Sequence, residues 1–192
     1  AKKNNGHFEL TLNSSDKIQC KYLINASGLH TEDVAKRIEE INLPKIKTVM
    51  YAKGHYYLYK KKNPFNHLIY PLPNSNGHGI HAGMDIENNL RFGPNAKWVD
   101  SIEYSFDDNT LDEFCNSIKS YWVNFDPSYL SPDYTGIRSK IVAEGKGSQD
   151  FEILDASDHG LENLIHLQGI DSPGLTSSLS IAAEVISKLG IH

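Results

Sequence analysis

The sequence predicts an α+β fold: a mostly antiparallel, β-rich middle region with covering helices, about residues 45–150, set between two segments of an α/β-type domain, residues 1–44 and 151–192. Three observations carry this reading. Each flank contains an apolar strand that runs through a small-residue turn into a helix. The middle contains short apolar runs cut by Gly and Pro, without the βαβ alternation that a parallel sheet requires. Near residue 110 an amphipathic stretch offers one apolar face of the kind that covers a sheet.

Taken in order, Phe8 to Leu12 alternate apolar and polar, the turn Asn13-Ser14-Ser15-Asp16 follows, and Ile18 to Ile24 rise again, which reads as a hairpin. The second run closes in Asn25-Ala26-Ser27-Gly28. Thr31 then stands as a helix cap, with Glu32 and Asp33 in the positive first turn, Val34, Ile38 and Ile41 on one face, and Pro44 as the stop. In the middle, strands are expected at Val49 to Tyr51, His55 to Tyr59, His67 to Tyr70, Gly79 to His81 and Leu90 to Phe92. Thr110 and Glu113 have capping-box spacing, and Leu111, Phe114, Ile118 and Trp122 form a stripe. Finally, the strand Asn163 to Gln168 leads into Gly169-Ile170-Asp171 and a helix capped at Ser172, with Pro173 in its first position. Leu175, Leu179, Ala182, Ile186 and Leu189 form its apolar face, and Gly190 ends it.

Charge and composition narrow the functional classes. A net charge of -5 over 192 residues and a pI near 6.0 argue against a large phosphate-binding face, hence against nucleic acid as a partner. The run Lys60-Lys61-Lys62 reads as a solvated turn. No apolar run reaches the roughly 20 residues of a membrane span. Cys20 and Cys115 lie far apart without CxxC pairing, so neither a zinc site nor a disulfide framework is expected. A cytoplasmic protein is expected, with peripheral membrane association left open. The start at Ala1 without methionine, directly before a strand-like stretch, reads as a cut.

Three segments can carry chemistry. In Asn25-Ala26-Ser27-Gly28, small side chains let a backbone approach a ligand. In the stretch from Gly169 to Thr176, the helix N-terminus presents unpaired N–H groups and partial positive charge to an anion or to a carbonyl gaining negative charge. In Thr135-Gly136-Ile137-Arg138-Ser139, an arginine follows a turn on a β-type run, and its fork can hold a carboxylate through two parallel hydrogen bonds.

Together these segments resemble the D-amino-acid-oxidase-like FAD oxidoreductases, and within them the branch acting on 2-hydroxyglutarate. The resemblance covers nearly the whole chain. It rests on Ile24 to Leu29, Lys53 to Leu58, Leu68 to Pro73, Gly79 to His81, Phe92 to Ala96, Gly136 to Arg138, Asp150 to Ile153 and His166 to Ser177. It implies that 1–44 and 151–192 are segments of a partial FAD-binding domain and 45–150 a substrate-binding domain. Asn25, Ala26, Ser27 and Gly28 would then lie by the nucleotide side of FAD. Gly169, Ile170, Ser172, Pro173, Gly174, Leu175 and Thr176 would lie by the isoalloxazine ring. Arg138 matches the arginine that holds the substrate carboxylate, although the family has proline where Ser139 follows. The implied reaction oxidises a 2-hydroxy acid to the 2-oxo acid by hydride transfer to FAD, and a 2-amino acid is the alternative substrate. The electron acceptor is left unassigned among oxygen, a quinone and a protein carrier.

His81 is the candidate base, since imidazole titrates near neutrality, with a sheet-bound histidine as its alternative. His55 and Tyr57 share a strand face and stand either as substrate contacts or as packing. A metal site at His78, His81 and Asp85 is disfavoured because strand residues three apart point to opposite faces. Full-length relatives carry Gly-x-Gly-x-x-Gly near the N-terminus, and no such string occurs in these 192 residues. This chain alone is therefore expected to bind FAD weakly or not at all, and a non-catalytic binding fragment is the rival reading.

Overall fold

The structure is a computed structural model and describes residues 1–13, 15–72, 79–143, 145–146 and 149–191. Ser14 of the expected hairpin turn, Pro73 and His78 lie outside the described residues. The chain forms two compact units, Ala1–Tyr51 with Ser139–His192, and Ala52–Arg138. The divisions fall inside the two longest strands.

In the first unit, β1 (Lys2–Asn4), β2 (His7–Thr11) and β3 (Lys17–Cys20) form an antiparallel sheet. The hairpin partner expected to run unbroken to Ile24 is interrupted at Lys21 and Tyr22, and β4 (Leu23–Asn25) leaves to pair in parallel with a strand 141 residues later, with His166 opposite Asn25. The helix expected from Thr31 is shorter than its pattern: α1 spans Thr31–Ala35. Thr31 does not cap it. Its hydroxyl donates instead to the Leu167 carbonyl at 2.7 Å. Ile38 and Ile41 still reach the core with Phe8, Ala35, Leu161 and Leu164, through turns rather than helix. Apolar spacing thus marked the buried face correctly while overstating the helix length.

The second unit is built around β5 (Met50–Tyr59), one strand where two were expected, because Gly54 lies within it without breaking it. β6 (Ala82–Met84), β7 (Leu90–Phe92) and β8 (Lys97–Val99) complete the order β6-β7-β5-β8, with the pairs β5/β7 and β6/β7 antiparallel. The expected strand at 67–70 is reduced to a single bridge, Ile69 to Ala82. Helix α2 (Leu111–Lys119) covers the sheet: Phe114, Cys115 and Ile118 join Tyr57, Tyr59, Leu90 and Phe92 in one core. The capping box expected at Thr110 and Glu113 does not form. The Thr110 hydroxyl donates to Asp107 O, and Glu113 accepts from Asn95. β9 (Leu130–Lys140) also pairs with β5 and places Arg138 near the end of an 11-residue strand, not after a turn.

The chain then returns to the first unit through β10 (Glu152–Leu154), α3 (Ala156–His159), β11 (Leu164–Gln168) and α4 (Ser178–Leu189). β11 is central, antiparallel to β10 and parallel to β4. A capping box does form at α3, between Asp155 and Asp158. α4 begins at Ser178, five residues later than the Pro173 start that a Ser172 cap implied. Gly174 N–H closes a tight turn on the Asp171 carbonyl at 2.5 Å, and a single turn from Ser177 N–H to Pro173 O at 3.1 Å precedes the helix proper, where Ile181 N–H bonds Ser177 O at 2.9 Å. Of the face expected to be apolar and buried, Leu175 and Leu179 are exposed, and Val185 is the buried residue of the helix.

Candidate functional site

Because β4 and β11 run parallel side by side, their C-terminal ends point the same way. Open α/β sheets bind ligands at such ends. The turns after them, Ala26 to Gly28 and Gly169 to Ile170, meet in an apolar groove of about 440 Å³ whose far wall is α4, with Ser178, Ala182 and Val185 facing in. Its floor is backbone. Gly169 has φ +70°, and a Cβ there would stand 2.6 Å from Ile141 Cδ1; one on Gly174 would stand 2.5 Å from the Asp171 carbonyl oxygen. Side chains outside the groove hold this floor. Gln149 donates to Gly169 O at 2.6 Å and accepts from Ile141 N–H at 2.7 Å, and Lys140 pairs with Asp171 at 2.5 Å. Gln149 was not singled out from the sequence; only its partners, distant in the chain, reveal it.

Of the residues expected near the cofactor, Ala26, Gly28, Gly169, Ile170 and Gly174 line the groove. Asn25 and Ser27 turn elsewhere. Asn25, 3% exposed, donates through Nδ2 to Thr31 O at 2.8 Å and to His166 Nδ1 at 2.9 Å, and accepts from the Ser27 hydroxyl at 2.6 Å. Its part is to shape the turn. Ser172, Pro173, Leu175 and Thr176 lie exposed in the turns leading to α4. Apolar walls of Ile24, Leu167, Ile181 and Val185 beside Gly28, Gly169 and Gly174 fit a flat aromatic group such as a ring of FAD. The helix N-terminus expected at Ser172 stands at Ser178 instead, and the Ser177 and Ser178 N–H groups are already bonded to Pro173 O and Leu175 O.

The second unit has its own polar centre. Arg138 Nη2 donates to the Asn95 carbonyl at 2.7 Å, and the Asn95 side chain bonds the His55 backbone N–H at 2.9 Å, His55 Nδ1 at 3.0 Å and Glu113 at 3.0 Å. Gly54 makes room, since a Cβ there would stand 3.1 Å from Arg138 Nη2. His55 is buried, and its Nε2 has no hydrogen-bond partner among the described residues. Tyr57 lies in the core, its hydroxyl 3.0 Å from Thr110. Strand alternation sends Tyr56 to the other face, where it stacks on Tyr134 at 4.5 Å and lines a cavity of about 280 Å³. Burial raises the pKa of the Tyr56 hydroxyl, Tyr134 adds to the shift, and Arg138 offsets part of it. Arg91 also lines this cavity but is clamped by Asp85 and Asp133. His81 is half-buried, its ring edge-on to Tyr70 at 4.4 Å. Lys53, missed in the sequence, is 4% exposed and paired with Glu103 at 3.0 Å. Glu103 is held at a pKa of about 2, chiefly by its bond from Ser105 and then by Lys53.

Residues 1–188 match the family model described as FAD dependent oxidoreductase. The chain belongs to that family. It is 32% identical over 178 residues to the mitochondrial L-2-hydroxyglutarate dehydrogenase of Arabidopsis thaliana, covering 86% of this chain and 37% of that protein. It is 28% identical over 182 residues to the glycerol 3-phosphate oxidase of Mycoplasma genitalium, covering 93% of this chain and 45% of that one. In fold it is similar to the L-alpha-glycerophosphate oxidase of Mycoplasma pneumoniae, solved with FAD bound, with a TM-score of 0.81, 18% identity, and coverage of 100% of this chain and 49% of that one. The chain thus spans less than half of these relatives. Among the described residues, no helix is long and apolar enough to cross a membrane.

Proposed function

We propose that this chain is the portion of an FAD-dependent oxidoreductase that supplies the ring-side cofactor groove and the substrate carboxylate anchor, acting on a 2-hydroxy acid of the 2-hydroxyglutarate kind in a cytoplasmic setting. The observation that carries the reading is the meeting of two glycine-containing turns, which follow strands paired at Asn25 and His166 across 141 residues, in one apolar groove. FAD bound there supplies the hydride acceptor. The chain's own residues do the rest. The positive end of the α4 dipole favours negative charge on a group bound beside it. Arg138 holds the substrate carboxylate with the donors not committed to Asn95, which fixes the orientation of the reacting carbon. His81 accepts the hydroxyl proton. Of the other candidate substrate contacts, His55 is held by Asn95, the residue whose carbonyl takes Arg138, and Tyr57 packs in the core with its hydroxyl on Thr110. The similarity to glycerol 3-phosphate enzymes makes that polyol phosphate the competing substrate.

The test is anaerobic bleaching, with FAD kept in excess so that weak binding does not empty the groove, by L-2-hydroxyglutarate, 2-amino acids and glycerol 3-phosphate in turn. Reduction by the first supports the reading; reduction by either of the others alone overturns the substrate class. Without a pyrophosphate loop, the 192-residue chain by itself is expected to retain little FAD through gel filtration, and stoichiometric yellow protein would contradict that.

A further inference from the structure

We propose that Asn95 is a positioning residue for substrate: its amide, clamped between His55 and Glu113, fixes the backbone carbonyl on which the Arg138 guanidinium rests. The inference depends on the carboxylate role of Arg138 given above. The orientation of the amide follows from its partners. The Glu113 carboxylate only accepts, so the atom facing it at 3.0 Å is Nδ2. Oδ1 therefore faces His55, where it accepts the backbone N–H at 2.9 Å and the ring Nδ1–H at 3.0 Å. These three bonds hold a residue that is 5% exposed.

The carbonyl of that same residue takes Arg138 Nη2 at 2.7 Å, in space left open by Gly54. A guanidinium anchored at one nitrogen presents the rest of its planar fork in a set direction, so the cost of ordering it is met before a carboxylate arrives. Without the clamp, the carbonyl keeps its chemistry and loses its place. The effect therefore falls on carboxylate binding more than on the hydride step.

In the FAD-loaded protein, Asn95→Ala is expected to raise KM for L-2-hydroxyglutarate, and the Kd for 2-oxoglutarate by titration calorimetry, roughly tenfold while kcat stays within about twofold. In an Arg138→Ala background the same change should add little, because the two residues act as one unit. Glu113→Ala should shift KM the same way by less, and it carries the comparison if Asn95→Ala fails to fold. Unchanged KM and Kd in Arg138→Ala would remove the carboxylate reading and this inference together. An effect of Arg138→Ala with none from Asn95→Ala or Glu113→Ala, or fully additive effects in the cycle, would overturn this inference alone.

Discussion

Single residues set the groove and its pH response. At Gly169 an alanine meets both a left-handed φ of +70° and the Ile141 side chain 2.6 Å away. Gly169→Ala is expected to cost about 1–3 kcal/mol, seen as a lower urea midpoint at unchanged slope; an unchanged midpoint would mean that the floor rearranges freely. Burial pushes His166 down to about 4 from its ordinary 6.5, and burial also lowers His159. A depressed histidine favours the neutral folded form, so its contribution is fully present above pH 6.5 and is lost as pH falls toward 4. Protonation would also break the bond that His166 Nδ1 accepts from Asn25. The melting temperature should therefore decline through that window, and less steeply in His166→Gln; an equal decline would assign the effect to other groups. The glycines were legible from the sequence because steric freedom is a local property. The commitment of Asn25 to His166 was not, because its partner is 141 residues away.

Among the elements, the join between α1 and β11 rests on a hydroxyl first read as a cap. Thr31→Val keeps the shape and removes the 2.7 Å bond to Leu167 O. A loss of about 1 kcal/mol is expected by chemical denaturation; no loss would return Thr31 to a role confined to its own helix. At the far end of α4, Lys188 reaches Asp155, the N-cap of α3, at 2.7 Å. That bond leads the causes that depress the Asp155 carboxyl. Both side chains are partly solvated, so Lys188→Met should cost under about 1 kcal/mol and less at high salt. Helix α2 and strands β5, β7 and β11 were readable from periodicity. α1 was overestimated because apolar spacing reports which side chains are buried, and turns can bury the same ones.

For the molecule as a whole, two units with separate cores share one chain, and the divisions fall within β5 and β9. Leu175 and Leu179 are 91% and 85% exposed beside the groove. Leu179→Glu should leave stability within about 0.5 kcal/mol in chemical denaturation. A large loss of stability would show that the side chain is buried in solution.

The sequence by itself determined the family, the two strand-to-turn segments with their glycines, and the antiparallel middle with its covering helix. These are properties of periodicity and steric freedom within a few residues. Only the tertiary structure decided that β4 leaves its hairpin for β11, that α4 starts at Ser178, and that Asn95 links His55, Glu113 and Arg138. A polar side chain takes whichever partner the folded chain brings within 3 Å, and local sequence does not specify that partner.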